Sequence, residues 1–347
     1  MEHGGDLETY RGAYSAPLID FSSNINPLGI DPRVMERMVS ALAGAERYPD
    51  ISYRKLRRSL SEFLGADAEE IVVGNGAMEI IATCISLFSD VYIAEPCFNE
   101  YARIARGAGV AIHRFQTEPP FRLDVDAFID SMPEGTLAIL TNPNNPTGYL
   151  LSWEELDRIY GAVEARNGYL LLDETFIDFV DTVAMDRHWG IGRPRVIKVQ
   201  AATKSAALAG IRLGYGILPA SLRDAYAERT LPWTVNVVAA EAGCVLNRLE
   251  DYFDATRRYV RGERERLARA IDASTIGSAY ESTANFLLIR LDRLDADRCF
   301  QFLLKRGILI RTYGDPPLRD RFIRIAVRTK EENDRLIAAW SELERSV

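Results

Sequence analysis

Lysine is the scarce base in this 347-residue chain: of its 42 Lys and Arg residues only Lys55, Lys198, Lys204, Lys305 and Lys330 are lysines. Chemistry that needs an amine nucleophile therefore has few candidates. Histidine is scarcer, with His3, His113 and His188 in three distant segments, so a three-histidine metal centre is not expected. The cysteines Cys84, Cys97, Cys244 and Cys299 form no CxxC pair and suit thiols of a reducing cytoplasm. No apolar run approaches the roughly 18 residues of a membrane span. The first twenty residues lack the apolar stretch of a signal peptide. A net charge of −8 argues against bulk electrostatic binding of nucleic acid.

What is present is an alternation of strand-like and helix-like segments. Ile71–Val73, Val91–Ala94, Val110–Phe115, Leu137–Leu140, Tyr169–Leu172, Arg195–Val199 and Ile211–Leu218 read as strands. Helical patterns run from the Gly74-Asn75-Gly76 turn to Phe88, over Asn99–Gly107, and from Trp153 to Arg166 behind the N-cap Ser152. Near-continuous apolar strands between helices predict an α/β domain with a mostly parallel sheet covered on both faces. From Val237 the pattern changes to a long helical stretch reaching about Ala270. A smaller α+β domain then follows, with strands near Asn285–Ile289, Ile308–Ile310 and Phe322–Val327. The expected division is an N-terminal arm, 1–29, packing with the smaller domain, a large domain, 30–236, and a small C-terminal domain, 237–347.

Polar signals gather at the predicted C-terminal ends of the strands, the edge where open α/β sheets bind ligands. Gly74-Asn75-Gly76-Ala77-Met78 joins strand to helix and could offer N–H groups to a phosphate, although a tight turn alone explains it as well. Asn142-Pro143-Asn144-Asn145-Pro146-Thr147-Gly148 is overbuilt for a simple turn. Asp173 sits just past a buried strand, where a carboxylate is costly unless paired. It suits either a protonated heterocyclic nitrogen or an ordinary turn role. Lys204 lies between an apolar strand and a run of small residues, where desolvation would make it a Schiff-base nucleophile. Arg212, eight residues on, could close on a phosphate.

In that order, these signals resemble the fold-type I pyridoxal-phosphate enzymes of the class I/II aminotransferase family, over nearly the whole chain. The resemblance implies that Lys204 forms the imine to the cofactor, pyridoxal 5′-phosphate. Asp173 would hold the pyridine nitrogen protonated and Asn145 would bond the ring hydroxyl. Ala77, Met78, Thr203 and Arg212 would hold the phosphate, and Phe98 would stack on the ring. Arg324 would clamp a substrate carboxylate, helped by Asn24. Tyr48 would reach the cofactor phosphate of a neighbouring subunit, so a homodimer with shared sites is implied.

Two subgroups share these motifs. Arg47-Tyr48-Pro49 resembles histidinol-phosphate aminotransferases. His3-Gly4-Gly5, the segment Asp20 to Gly29, and Val327-Arg328-Thr329 resemble L-threonine-O-3-phosphate decarboxylases. On the second reading, His3 and Arg328 would bind the substrate phosphate. Phe176 stands where aminotransferases usually carry tyrosine, and Ala201 stands where the family usually has a hydroxyl for the cofactor phosphate, for which Thr203 and Ser205 are the candidate replacements. The preferred expectation is decarboxylation of a small phosphorylated amino acid. Aminotransfer is the alternative, and a non-enzymatic cofactor-binding regulator fits less well, since no DNA-binding appendage is visible.

Overall fold

The computed structural model describes residues 4–181 and 187–347. Its central sheet has seven strands in the order Ile71–Asn75, Leu213–Ile217, Val196–Ala201, Tyr169–Asp173, Leu137–Thr141, Asp90–Glu95, Ala111–Gln116. Only Leu213–Ile217 runs against the others. The middle strands are continuous apolar runs because helices cover both faces: Leu170, Leu171 and Leu172 are all buried, on alternating sides. The side of Leu171 and Ile197 packs with the helix Ala77–Ile85, and the side of Leu170 and Leu172 packs with the helix Trp153–Ala165. That second helix starts where expected. Ser152 and Glu155 form a reciprocal capping box that satisfies its first N–H groups.

A second body holds the antiparallel strands Gly277–Ala279, Phe286–Leu291 and Phe322–Ala326, with the helices Ala296–Leu304 and Lys330–Arg345 against them. The N-terminal arm joins it: Ile19–Asp20 pairs in parallel with Ile308–Leu309, and Phe21 enters the same core.

The long helical stretch expected after Val237 is broken. Val237–Gly243 is one helix, a 3-10 turn follows at Leu246–Arg248, and Glu250–Asp272 is a second helix. The break moves the expected boundary at 237. Ala239, Ala242, Leu249 and Phe253 pack with Leu56 and Leu213 of the large body, whereas Val260, Leu267 and Ile271 join the second core. Small residues let the first helix press close: a Cβ on Gly243 would stand 2.4 Å from Leu56 Cδ1. A helical hydrophobic period alone cannot show which of two cores a turn of helix faces.

Candidate active site

The carboxyl ends of the parallel strands converge on one cavity of about 230 Å³, closed on the far side by residues of the second body. Ala77, Met78, Phe98, Asn145, Asp173, Thr203, Lys204 and Arg212 all line it from the large body. Asn24 and Arg324 line it from the arm and the second body.

Lys204 is carried by the four-residue helix Ala202–Ser205, directly after the strand Val196–Ala201. Its backbone carbonyl accepts the Asn26 N–H at 3.0 Å, and the Asn26 side chain donates to Ser205 O at 2.7 Å. Burial pushes its ammonium down to about 8, helped by the charges of Arg324 and Arg212 and opposed by Asp20 and Asp173. The other buried lysine, Lys198, is 2% exposed but its amine is spent on Glu174 at 3.2 Å and on two carbonyls, Arg187 O and Trp189 O.

Asp173 ends the strand Tyr169–Asp173 and is 4% exposed. Its Oδ1 accepts the Thr175 N–H at 2.9 Å and the Thr175 hydroxyl, and its Oδ2 accepts the Tyr101 hydroxyl at 2.6 Å. Burial raises its carboxyl above the ordinary range, against these hydrogen bonds and the charge of Lys204.

At the other end of the cavity the helix Ala77–Ile85 presents its N-terminus after Gly76. Gly76 has φ +80°, and a Cβ there would lie 2.4 Å from Arg212 Nη2. A Cβ on Gly214 would lie 2.2 Å from the Gly76 carbonyl carbon. The glycines thus allow the turn, the antiparallel strand and the arginine to crowd together. Of the two hydroxyls that could replace the one missing at Ala201, Ser205 is committed elsewhere: its Oγ donates to Asp178 Oδ2 at 2.6 Å. Thr203 is the one on the cavity wall.

From the second body, Arg324 donates to Asn145 Oδ1 and to Ser22 O at 2.8 Å, and its guanidinium lies 5.2 Å from the Phe286 ring centre. Arg311 and Tyr313 line the cavity from the same body, and sequence reasoning missed both. Arg324 Nε, Asn24 Oδ1 and Tyr313 Oη are buried without a hydrogen-bond partner, which fits a wall built for a polar ligand.

Two expected residues do not line the cavity. Arg328 does not line the cavity; its guanidinium is held by Glu332 at 3.2 Å, part of the start of the helix Lys330–Arg345. Tyr48 is 80% exposed and packs at a tilt against Trp233 with ring centres 4.7 Å apart, and it does not line the cavity of its own chain. His3 lies outside the described residues. Phe176 is on the cavity wall, edge-on to Phe286 at 5.1 Å, so no phenol occupies that place. No group of metal-ligating side chains occurs among the described residues, nor any helix long and apolar enough to cross a membrane.

Comparison with known proteins accounts for this arrangement. The family model "Aminotransferase class I and II" matches residues 16–339. A protein of Caldanaerobacter subterraneus subsp. tengcongensis, provisionally named a threonine-phosphate decarboxylase, is 36% identical over 97% of this chain and 92% of its own length. The threonine-phosphate decarboxylase of Salmonella typhimurium is 34% identical, over 97% of this chain and 95% of its own. The histidinol-phosphate aminotransferase of Desulfitobacterium hafniense is 32% identical over the same shares, 97% and 95%. The crystal structure of the histidinol-phosphate aminotransferase from Clostridium acetobutylicum superposes with a TM-score of 0.90 at 29% identity, covering 95% of this chain and all of that one. The fold is therefore that of the fold-type I pyridoxal-phosphate enzymes. The chain belongs to the class I and II aminotransferase family.

Proposed function

We propose that this member of the class I and II aminotransferase family, a pyridoxal-phosphate enzyme, decarboxylates L-threonine O-3-phosphate to (R)-1-amino-2-propanol O-2-phosphate. The observation that carries the reading is the paired arginine wall. Arg311 and Arg324 line the cavity from the second body, and Lys204 and Asp173 line it from the large body. A substrate with a carboxylate and a phosphate on adjacent carbons satisfies two guanidiniums at once. Histidinol phosphate offers one anion and no carboxylate, and that reaction would need its dicarboxylate co-substrate, 2-oxoglutarate, to use both guanidiniums, whereas threonine phosphate uses both by itself. We assign the carboxylate to Arg324 with Asn24 and the phosphate to Arg311 with Tyr313, in place of Arg328, which Glu332 holds. The decarboxylase names of the relatives at 36% and 34% identity support the same choice.

The cavity suits the cofactor. Ala77, Met78, Thr203 and Arg212 would hold its phosphate, Phe98 its ring face, Asn145 its ring hydroxyl, Asp173 its nitrogen and Lys204 its aldehyde carbon. When bound, the cofactor supplies an electron sink for the pair left at the substrate's α-carbon. The chain's own part is orientation and proton delivery. Arg324 and Asn24 fix where the carboxylate points, and so which bond at the α-carbon breaks. Lys204, with its ammonium near 8, can return a proton to that carbon once carbon dioxide has left.

The apolar and aromatic side chains exposed around Tyr48 support a homodimer in which each chain completes its partner's site. Four unpaired cysteines suit a reducing cytoplasm.

The test is product analysis of the purified enzyme. Threonine phosphate alone should release one carbon dioxide per aminopropanol phosphate, with no keto-acid acceptor. The relatives and the superposed structure named as aminotransferases favour the second reading, histidinol-phosphate aminotransfer. Turnover of histidinol phosphate with 2-oxoglutarate, and no carbon dioxide from threonine phosphate, would establish it instead.

A further inference from the structure

Tyr101 takes no part in the roles assigned above, yet it is among the largest fully buried side chains and reaches the centre of the site. It projects from the helix Glu100–Gly107, is 1% exposed, and sets its ring edge-on to Phe98 at 5.8 Å. Its hydroxyl lies 2.6 Å from Asp173 Oδ2 and 2.8 Å from Thr141 Oγ1.

The phenol has one proton. A carboxylate is the stronger acceptor, so that proton goes to Asp173 and the tyrosine oxygen accepts from Thr141. Thr141 is fixed opposite Asp173 by strand register, so the donor chain Thr141 to Tyr101 to Asp173 is set by the sheet itself. Thr175 serves only Oδ1, through a turn two residues long. Among the described residues, Tyr101 is the donor to Oδ2.

Burial favours the neutral acid at Asp173, which opposes the use the site needs. We infer that Tyr101 is a positioning residue for Asp173, whose phenol aims the carboxylate and keeps it ionised so that it can hold a protonated pyridine nitrogen. The inference rests on the reading of Asp173 given under the proposed function. A tyrosine present only to fill space would not act this way.

The full-length apoprotein separates these cases with two non-reactive probes. One is 4-deoxypyridoxine 5′-phosphate, and the other is its benzene analogue, which lacks the ring nitrogen. Titration calorimetry gives the preference for the pyridine probe. The wild type should show a clear preference; equal binding would overturn the reading of Asp173 itself. Tyr101→Phe keeps the ring and removes only the hydroxyl. It should lose about tenfold of that preference, as deleting a hydrogen bond to a charged group predicts, while binding the benzene probe as the wild type does. In the reconstituted enzyme kcat should fall with KM unchanged. A wild-type preference retained in Tyr101→Phe would overturn the inference. If that variant does not fold, Thr141→Val removes the donor that orients the phenol proton, and a preference unchanged there would overturn it equally.

Discussion

A lysine amine reacts only when it is neutral, and the surroundings of Lys204 decide at what pH that happens. Its ammonium is brought down to about 8 by burial and by the charges of Arg324 and Arg212. Below that pH the amine is protonated and unreactive; above it the neutral form dominates. The rate at which the apoprotein takes up pyridoxal phosphate, followed by the visible imine band, should therefore rise with pH through about 8 and level off above. Arg324→Leu removes a neighbouring positive charge, which favours the ammonium, so the midpoint should move to higher pH. A midpoint unmoved by that change would show that the charge of Arg324 does not help to set it. Lys204, Asp173, Asn145 and Arg212 were legible in the sequence because each is a polar residue misplaced in an apolar or turn context. Arg311, Tyr313 and Tyr101 were not. Each lies in a segment that core packing explains equally well, and only the meeting of distant segments gives it a partner. Arg328 misled for the opposite reason: beside the capping box of Thr329 and Glu332 its nearest partner is local.

Elements set the limits within which those side chains work. The phosphate end of the cavity depends on a strand, a turn and a helix N-terminus approaching an antiparallel strand, and the glycines are the condition for that approach. Gly76→Ala must relieve both φ +80° and a Cβ 2.4 Å from Arg212 Nη2, so the arginine is displaced from the helix N-terminus. The expected result is a folded protein whose cofactor dissociation constant rises by about tenfold, the worth of one charge-assisted contact. Gly161→Ala, in the helix Trp153–Ala165 with nothing within 4 Å of the new Cβ, is the control. It should leave cofactor affinity alone and stabilise by up to about 1 kcal/mol in thermal unfolding. Equal cofactor binding in both variants would remove the glycine turn from the site. The strands of the sheet were legible to within a few residues, since a strand buried on both faces leaves a continuous apolar run between turn signals. The break between Gly243 and Glu250 was not legible, because the apolar period continues across it while the core it faces changes.

At the scale of the whole molecule, one surface is left to explain. Val39, Leu42, Tyr48, Ile51 and Leu231 are each more than half exposed, and Trp233 is exposed beside Tyr48. Single exposed hydrophobics are ordinary, but several fall on the helix Pro32–Leu42 and on the loops at Tyr48 and Trp233, a concentration that favours burial against a second copy. A two-fold pairing would bring the same patch of both chains together and carry each Tyr48 towards the other chain's cavity. This arrangement makes a specific demand on mixed subunits. Lys204→Ala has no imine-forming amine, and Tyr48→Ala should bind cofactor poorly, so each homodimer should be inactive at low cofactor concentration. In a heterodimer one site carries both defects and the other carries neither. Random exchange puts half the molecules in that form, with one sound site in two, so about a quarter of wild-type activity should return on mixing. No recovery after verified exchange would mean that Tyr48 serves its own chain or none. Full activity in a species that sediments as a monomer would remove the shared site altogether, and the exposed patch would then need another occupant.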